Sequence, residues 1–142
     1  MKNVVQMLEG KGRQLLSISP DATVFEALVL MADTNVGALL VFENEKLVGI
    51  FSERDYARKI ILLGKASKET LVSEIMTNKV LCVRPEQTVE ECMALMTEKH
   101  IRHLPVLDHK KVIGVISIGD VVKEIISEQK IVIAQLESYI HQ

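Results

Sequence analysis

Proline and glycine are scarce in this 142-residue chain, at three and seven residues. Set beside 48% apolar and 25% charged residues, that scarcity excludes a disordered tail and points to an ordered globular protein. Cysteine is nearly absent: Cys82 and Cys92 stand alone in apolar company, so reduced, buried thiols are expected rather than a disulfide. Neither sign of charge is in excess. Lys+Arg 17 against Asp+Glu 19 leaves −2, which argues against a broad basic face for nucleic acid. Long apolar runs are missing too, since 37–42 and 47–51 are strand-sized and far below the roughly 20 residues of a membrane helix. Met1-Lys2-Asn3-Val4-Val5-Gln6 carries no apolar stretch or cleavage site of a signal peptide, so cytoplasmic residence is expected. The length suits one compact domain or two small halves sharing a core.

The usual signatures of catalysis are absent as well. There is no Walker-type phosphate loop, Gly-x-Gly-x-x-Gly turn, nucleophile elbow or His-Glu-x-x-His pair. Ser52 and Ser117 have no histidine within their own motifs to activate them. His100, His103 and His109 find no cysteine or acid at ligand spacing on a single element. Neither an enzyme nor a metal site is expected.

What is present is a repeat. Shifted by 65 residues, Pro20, Thr23, Val24 and Glu26 fall on Pro85, Thr88, Val89 and Glu91, with an acid following the proline each time. Leu30-Met31 then meets Leu95-Met96, Leu39 meets Leu104, Val41 meets Val106 and Lys46 meets Lys111. Gly49-Ile50-Phe51-Ser52-Glu53-Arg54-Asp55 meets Gly114-Val115-Ile116-Ser117-Ile118-Gly119-Asp120, all without a gap.

Periodicity gives both copies the same elements. A short strand (15–18; 80–83) ends at a proline, and Thr23 or Thr88 then caps a helix with one apolar face. Two apolar runs follow, separated by Glu43-Asn44-Glu45-Lys46 or Asp108-His109-Lys110-Lys111, which is the spacing of a hairpin. Ser52 and Ser117 begin second helices. The expected fold is therefore of the mixed α/β (α+β) class: two pseudo-symmetric β-α-β-β-α repeats packed sheet to sheet, with clefts between them. The expected boundaries are 1–64 for the first repeat, 65–71 for a connector, 72–127 for the second repeat and 128–142 for a helical extension. In that extension the apolar positions Ile131, Val132, Ile133, Leu136, Tyr139 and Ile140 continue a helix past the repeat. The stripe is expected either to fold back over Val4, Val5, Met7 and Leu8 or to pack on another subunit, the second being favoured.

These residues resemble the cystathionine-β-synthase (CBS) domain, which occurs in tandem as a Bateman module. Val72-Ser73-Glu74-Ile75-Met76-Thr77 is similar to the family's lead-in, Arg102-His103-Leu104-Pro105-Val106 to its basic strand, and the doubled Gly-h-h-Ser-x-x-Asp segments to its strand-to-helix turn. The likeness runs from about Val4 to Ser127 and is nearest to stand-alone bacterial CBS pairs. It implies a regulatory module that binds adenosine nucleotides, AMP foremost with NAD or ATP as alternatives, and reports energy or redox state to a partner protein. It also implies a homodimer.

Two readings compete at Ser52, Glu53, Arg54 and Asp55 and at Ser117, Ile118, Gly119 and Asp120. As a capping box, the serine and the acid satisfy each other's backbone N–H groups, which accounts fully for one copy. As a ligand site, the carboxylate accepts from vicinal ribose hydroxyls while the helix start faces phosphate. Arg102 and His103 precede a short strand, whose alternation sends them to opposite sides, so that two clefts could each receive one; the resemblance implies that these basic residues contact phosphate. In the first copy Gly37 and Ala38 stand there, small enough for a flat base to approach the backbone. Arg54 and Arg58 share a helix face and could extend a phosphate path. The resemblance adds Ile18, Thr23, Val83, Thr88, Ile101 and Pro105 as lining positions. A structural or protein-interaction module without a physiological nucleotide is the alternative.

Overall fold

The computed structural model describes residues 2–141. In chain order its elements are α1 (Val4–Lys11), β1 (Ser17–Ile18), α2 (Val24–Thr34), β2 (Ala38–Glu43), β3 (Lys46–Ser52), α3 (Glu53–Tyr56), α4 (Val72–Ile75), α5 (Val89–Lys99), β4 (His103–Asp108), β5 (Lys111–Ser117) and α6 (Ile118–Ile140). A π-helical turn, Ala57–Ile61, directly follows α3.

The two copies repeat each other down to their strained positions. Thr23 and Thr88 each accept a hydrogen bond from a backbone N–H three residues on, which caps α2 and α5. Both helices end on a left-handed residue, Asn35 (φ 54°) and His100 (φ 55°). Each hairpin turns through two further left-handed residues, Asn44-Glu45 and His109-Lys110, the backbone that a two-residue turn needs to match strand twist. All three pairs lie 65 residues apart. The shift that relates the sequences thus relates the backbones.

The first strand is where the copies part. In the first copy β1 runs parallel to β2, pairing Ser17 with Leu40 and Ile18 with Val41, so it is shorter than the expected 15–18. In the second, the expected strand 80–83 is reduced to one bridge between Val83 and Val106. The reason is chemical. Leu40 donates its N–H to the Leu16 carbonyl at 3.0 Å, whereas the matching residue in β4 is Pro105, which has no N–H to give.

The chain divides into two compact units, and their limits are not those of the sequence repeats. One unit is 15–80; the other joins 2–14 to 81–141. Each lead-in helix docks on the copy it does not precede. Within 15–80, Val72 N–H bonds the Ala22 carbonyl (2.8 Å) and Ser73 N–H the Pro20 carbonyl (3.0 Å). In the other unit, Val4 N–H bonds Gln87 (2.8 Å) and Val5 N–H bonds Pro85 (3.0 Å). Residues 65–70 likewise pack as part of the 15–80 unit: Phe25 N–H donates to the Ser67 carbonyl at 3.0 Å, and Thr70 is buried with its hydroxyl on the Ala66 carbonyl.

Apolar burial follows the exchange. Val4, Met7 and Leu8 join Val89, Cys92, Met96, Leu104, Val106, Ile116 and Val121 in one core. Val72 and Ile75 join Val24, Ala27, Met31, Leu39, Val41, Phe51 and Ile60 in the other. Cys92 is thereby buried, and desolvation first, with Glu91 and Glu90 adding to it, pushes its thiol up to about 11. Cys82 is partly buried; both thiols are free.

The second helices differ in length for a visible reason. After α3 the π-helical turn spends a longer hydrogen bond, Leu62 N–H to the Ala57 carbonyl at 3.3 Å, and Gly64 (φ 70°) then reverses the chain. Its counterpart α6 has neither and continues regularly for 23 residues. Lys2 holds its flank through Glu124 (3.2 Å). Beyond that, Ile131, Val132, Ile133, Leu136, Tyr139 and Ile140 remain exposed in the chain. Among the described residues no helix is long and apolar enough to cross a membrane.

Candidate functional site

The hairpin register brings a second segment to each Ser-x-x-Asp turn. Ala38 pairs with Ser52 and His103 with Ser117. Glu53 N–H then donates to the Gly37 carbonyl (3.1 Å), and Ile118 N–H to the Arg102 carbonyl (2.8 Å). Gly37 and Ala38 are therefore clipped to the start of α3, and Arg102 and His103 to the start of α6.

Both turns are capping boxes. Ser52 accepts from Asp55 N–H while Asp55 accepts from Ser52 N–H (3.0 Å), and Ser117 and Asp120 do the same at 3.1 and 2.8 Å. Capping thus accounts for both copies, where the sequence argument accounted fully for one. His103 does stand across the ladder from Ser117, a neighbour the sequence motif lacks, yet the serine oxygen is taken up as acceptor of the Asp120 N–H.

What surrounds the two carboxylates differs sharply. Asp55 is buried, at 6% exposure, and fully engaged. Its Oδ2 accepts from the Ser52 N–H and hydroxyl, and its Oδ1 from the Thr77 hydroxyl (3.1 Å) and the Lys59 ammonium (3.1 Å). Lys59 also bonds the Ile75 carbonyl at 2.9 Å. Asp120 keeps 26% of its side chain exposed. Its Oδ2 meets the Lys11 ammonium, which also donates to the Val115 carbonyl at 2.8 Å.

Charge around Asp120 is correspondingly structured. Burial alone would raise its carboxyl, but the Lys11 ammonium and the Ser117 N–H outweigh that and hold it below the usual carboxylate range. His103 is pushed below its ordinary 6.5, first by burial and then by Lys11, with Asp120 pulling the other way and Arg102 adding to the fall. An imidazole held below its ordinary range, an ammonium and a carboxylate therefore meet at one helix start, with the Arg102 backbone clipped beside them. Arg102 is exposed and His103 partly buried.

The remaining expected residues fall into place less closely. Thr23 and Thr88 are spent as caps and bridge to Leu71 and Asn3. Ile18 and Val83 lie on the parallel edge of β2 and β4, Pro105 is buried within β4, and Ile101 packs against the core. Arg54 is partly buried and Arg58 exposed; the ammonium that the fold places on Asp55 belongs to Lys59. Gly37 and Glu53 line a cleft of about 320 Å³ whose other walls are Leu28, Met31, Ala32, Asn35 and Val36. Among the described residues no group of three or more His, Cys, Asp or Glu side chains could hold a metal ion.

Sequence reasoning missed Lys11, Lys59 and Thr77. Lys59 was findable, being four residues beyond Asp55 on a helix. Thr77 belongs to the lead-in that opens the second repeat, and only the fold shows that this lead-in docks on the first copy. Lys11 gave no signal, because the lead-ins repeat at a shift of 68 residues rather than 65: Val4 and Val72 make equivalent bonds.

Two copies of a capped helix, a hairpin and a serine-capped second helix define a tandem-repeat class, and comparison supplies its name. The CBS domain model matches residues 12–62 and 72–127, so the chain belongs to the CBS-domain family and carries two repeats of it. It is 42% identical over 146 residues to the mitochondrial CBS domain-containing protein CBSX3 of Arabidopsis thaliana, covering 96% of this chain and 71% of that protein. A solved protein with CBS domains from Burkholderia ambifaria is 50% identical with a TM-score of 0.87, over 90% of this chain and 96% of that one. The CBS domain pair of protein MJ0100, solved with 5′-methylthioadenosine and S-adenosyl-L-methionine, shares the fold at a TM-score of 0.80 and 22% identity, over 90% and 98% of the two chains.

Proposed function

We propose that this chain is a non-catalytic regulatory module that holds an adenosine nucleotide at the turn 117–120, AMP first among candidates, with ATP or NAD as alternatives. The observation that carries the reading is the contrast between the two carboxylates: Asp120 is partly open, with the Lys11 ammonium on it and His103 close enough to feel its charge, while Asp55 is sealed by Lys59 and Thr77. An open carboxylate at a helix start can accept from both hydroxyls of a ribose, and the cations beside it suit the phosphate. That a CBS pair of the same fold holds adenosine compounds supports the ligand class. Binding would favour whichever arrangement of the module presents this turn best, and a partner protein would read that arrangement. A cytoplasmic site of action goes with this reading.

The apolar stripe of α6 favours a second, compatible role in association, and a homodimer is its simplest form. Sedimentation velocity on the full chain checks this, with a monomer at all concentrations as the contrary result.

The nucleotide reading is tested by melting the protein with AMP, ADP, ATP, NAD, NADH and S-adenosylmethionine. A ligand at a hundred times its Kd adds about 2.7 kcal/mol, a rise of several degrees. Asp120→Ala should abolish that rise and Asp55→Ala should retain it on a lowered baseline. A flat response of the wild-type protein to every adenine compound leaves the interaction module as the surviving function.

A further inference from the structure

We infer that Lys11 sets the preference of the 117–120 turn for a phosphorylated over an unphosphorylated nucleoside. The inference rests on the nucleotide reading above and goes beyond it by assigning discrimination to a residue from the far end of the chain. Lys11 lies in the last turn of α1, and α1 is anchored by buried Val4, Met7 and Leu8. Its ammonium reaches the Val115 carbonyl at 2.8 Å and Asp120 Oδ2, so two of its three N–H donors are used. The third remains for a ligand, and the side chain is 39% exposed.

Charge counting shows what this ammonium does. Lys11 sets one positive charge directly against the Asp120 carboxylate and offsets it; without Lys11 that carboxylate loses this counter-charge. A sugar diol needs only the carboxylate. An anionic tail needs the carboxylate's charge offset, and Lys11 does this from a point already fixed against β5.

The first copy arranges its ammonium differently. There the ammonium beside the carboxylate is Lys59, which is held by the Ile75 carbonyl as well as by Asp55, and the carboxylate carries four bonds. The free donor that Lys11 offers beside a partly open carboxylate therefore belongs to the second turn.

The experiment titrates the full chain calorimetrically with adenosine and with AMP, in wild type, Lys11→Met and Lys11→Arg. In Lys11→Met, adenosine affinity is expected to stay within about twofold while AMP weakens roughly tenfold, the scale of one charge-assisted hydrogen bond. Lys11→Arg, which keeps the charge, should recover part of the AMP preference. Equal weakening of both ligands would assign Lys11 to holding Asp120 in place and overturn the inference, as would an unchanged AMP affinity. Wild-type protein that binds neither compound overturns the nucleotide reading itself, and that control separates the two failures. Melting without ligand confirms that each variant is folded, and Lys11→Gln replaces the methionine variant if it is not.

Discussion

Thr77 donates its hydroxyl to Oδ1 of Asp55 at 3.1 Å, tying the segment after α4 to the first turn of α3. That oxygen also holds Lys59, whose side chain is 41% exposed. Solvent screens the ion pair to at most about 1 kcal/mol, so the hydroxyl matters on a similar scale. Thr77→Val should cost about 1 kcal/mol by chemical denaturation. Asp55→Ala, which also removes the acid half of the α3 capping box, should cost about 2–3 kcal/mol. Equal stability of Thr77→Val and wild type would show that the bond is replaced by water without loss.

The exchange of lead-ins makes fragments informative. A fragment of 15–80 keeps α4 and its own core, whereas 72–142 loses Val4, Met7 and Leu8, all at 6% exposure or less. At about 1.5–3 kcal/mol per buried side chain, three such losses reach 5–9 kcal/mol, comparable to a whole domain's stability. We expect 15–80 to show a cooperative melt and 72–142 to show none until a peptide of residues 2–14 is added. Circular dichroism decides it, and a cooperative melt of 72–142 alone would contradict the docking of α1.

Two glycines receive the lead-in side chains and should not tolerate a methyl equally. A Cβ at Gly114 would lie 2.6 Å from Leu8 Cδ2, the tip of a side chain that can turn aside. At Gly49 it would meet Met76 Sδ at 2.5 Å and also the Thr77 carbonyl at 3.0 Å, which is backbone. Overpacking costs about 1–3 kcal/mol, and Gly49→Ala is expected at the upper end of that range with Gly114→Ala below it. The order of the two melting temperatures is the check.

Acidity should weaken the fold through His103 before it reaches any carboxylate. The folded protein holds this imidazole below 6.5 by burial and then by Lys11, so the unfolded chain takes up the proton first. Its contribution is therefore complete above pH about 6.5 and declines below that until the folded form protonates too. Asp120, held low, keeps its own contribution above the carboxylate range and gives it up only on further acidification. We expect His103→Gln to flatten stability between pH about 7.5 and 5.5, and Lys11→Met to move the His103 proton resonance midpoint upward. A His103 midpoint above 6.5 in wild type would reverse the sign.

Much of this was legible along the chain. The caps at Thr23 and Thr88, the hairpins and the Ser-x-x-Asp turns all depend on residues three or four apart, and a 65-residue shift reproduces them together with the left-handed pairs Asn35/His100, Asn44/His109 and Glu45/Lys110. The lost strand at 80–83 was legible only afterwards, since a proline in β4 withholds a donor from a neighbour that had first to be placed beside it. Arg102 and His103 were legible as basic residues at a strand start, but only the pairing of His103 with Ser117 and the Ile118 N–H bond to the Arg102 carbonyl bring their backbone to the second turn. Their companion Lys11 was invisible.

Local spacing, then, told how many copies there are, what each is made of and which two aspartates head their helices. It could not tell which lead-in serves which copy, because Val4, Met7 and Leu8 carry the same apolar spacing as Val72, Ile75 and Met76, and Gly114 and Gly49 offer them matching slots. Long-range burial made that choice, and the choice delivered a lysine to one carboxylate and a threonine to the other. One turn is left partly open and charged, the other closed.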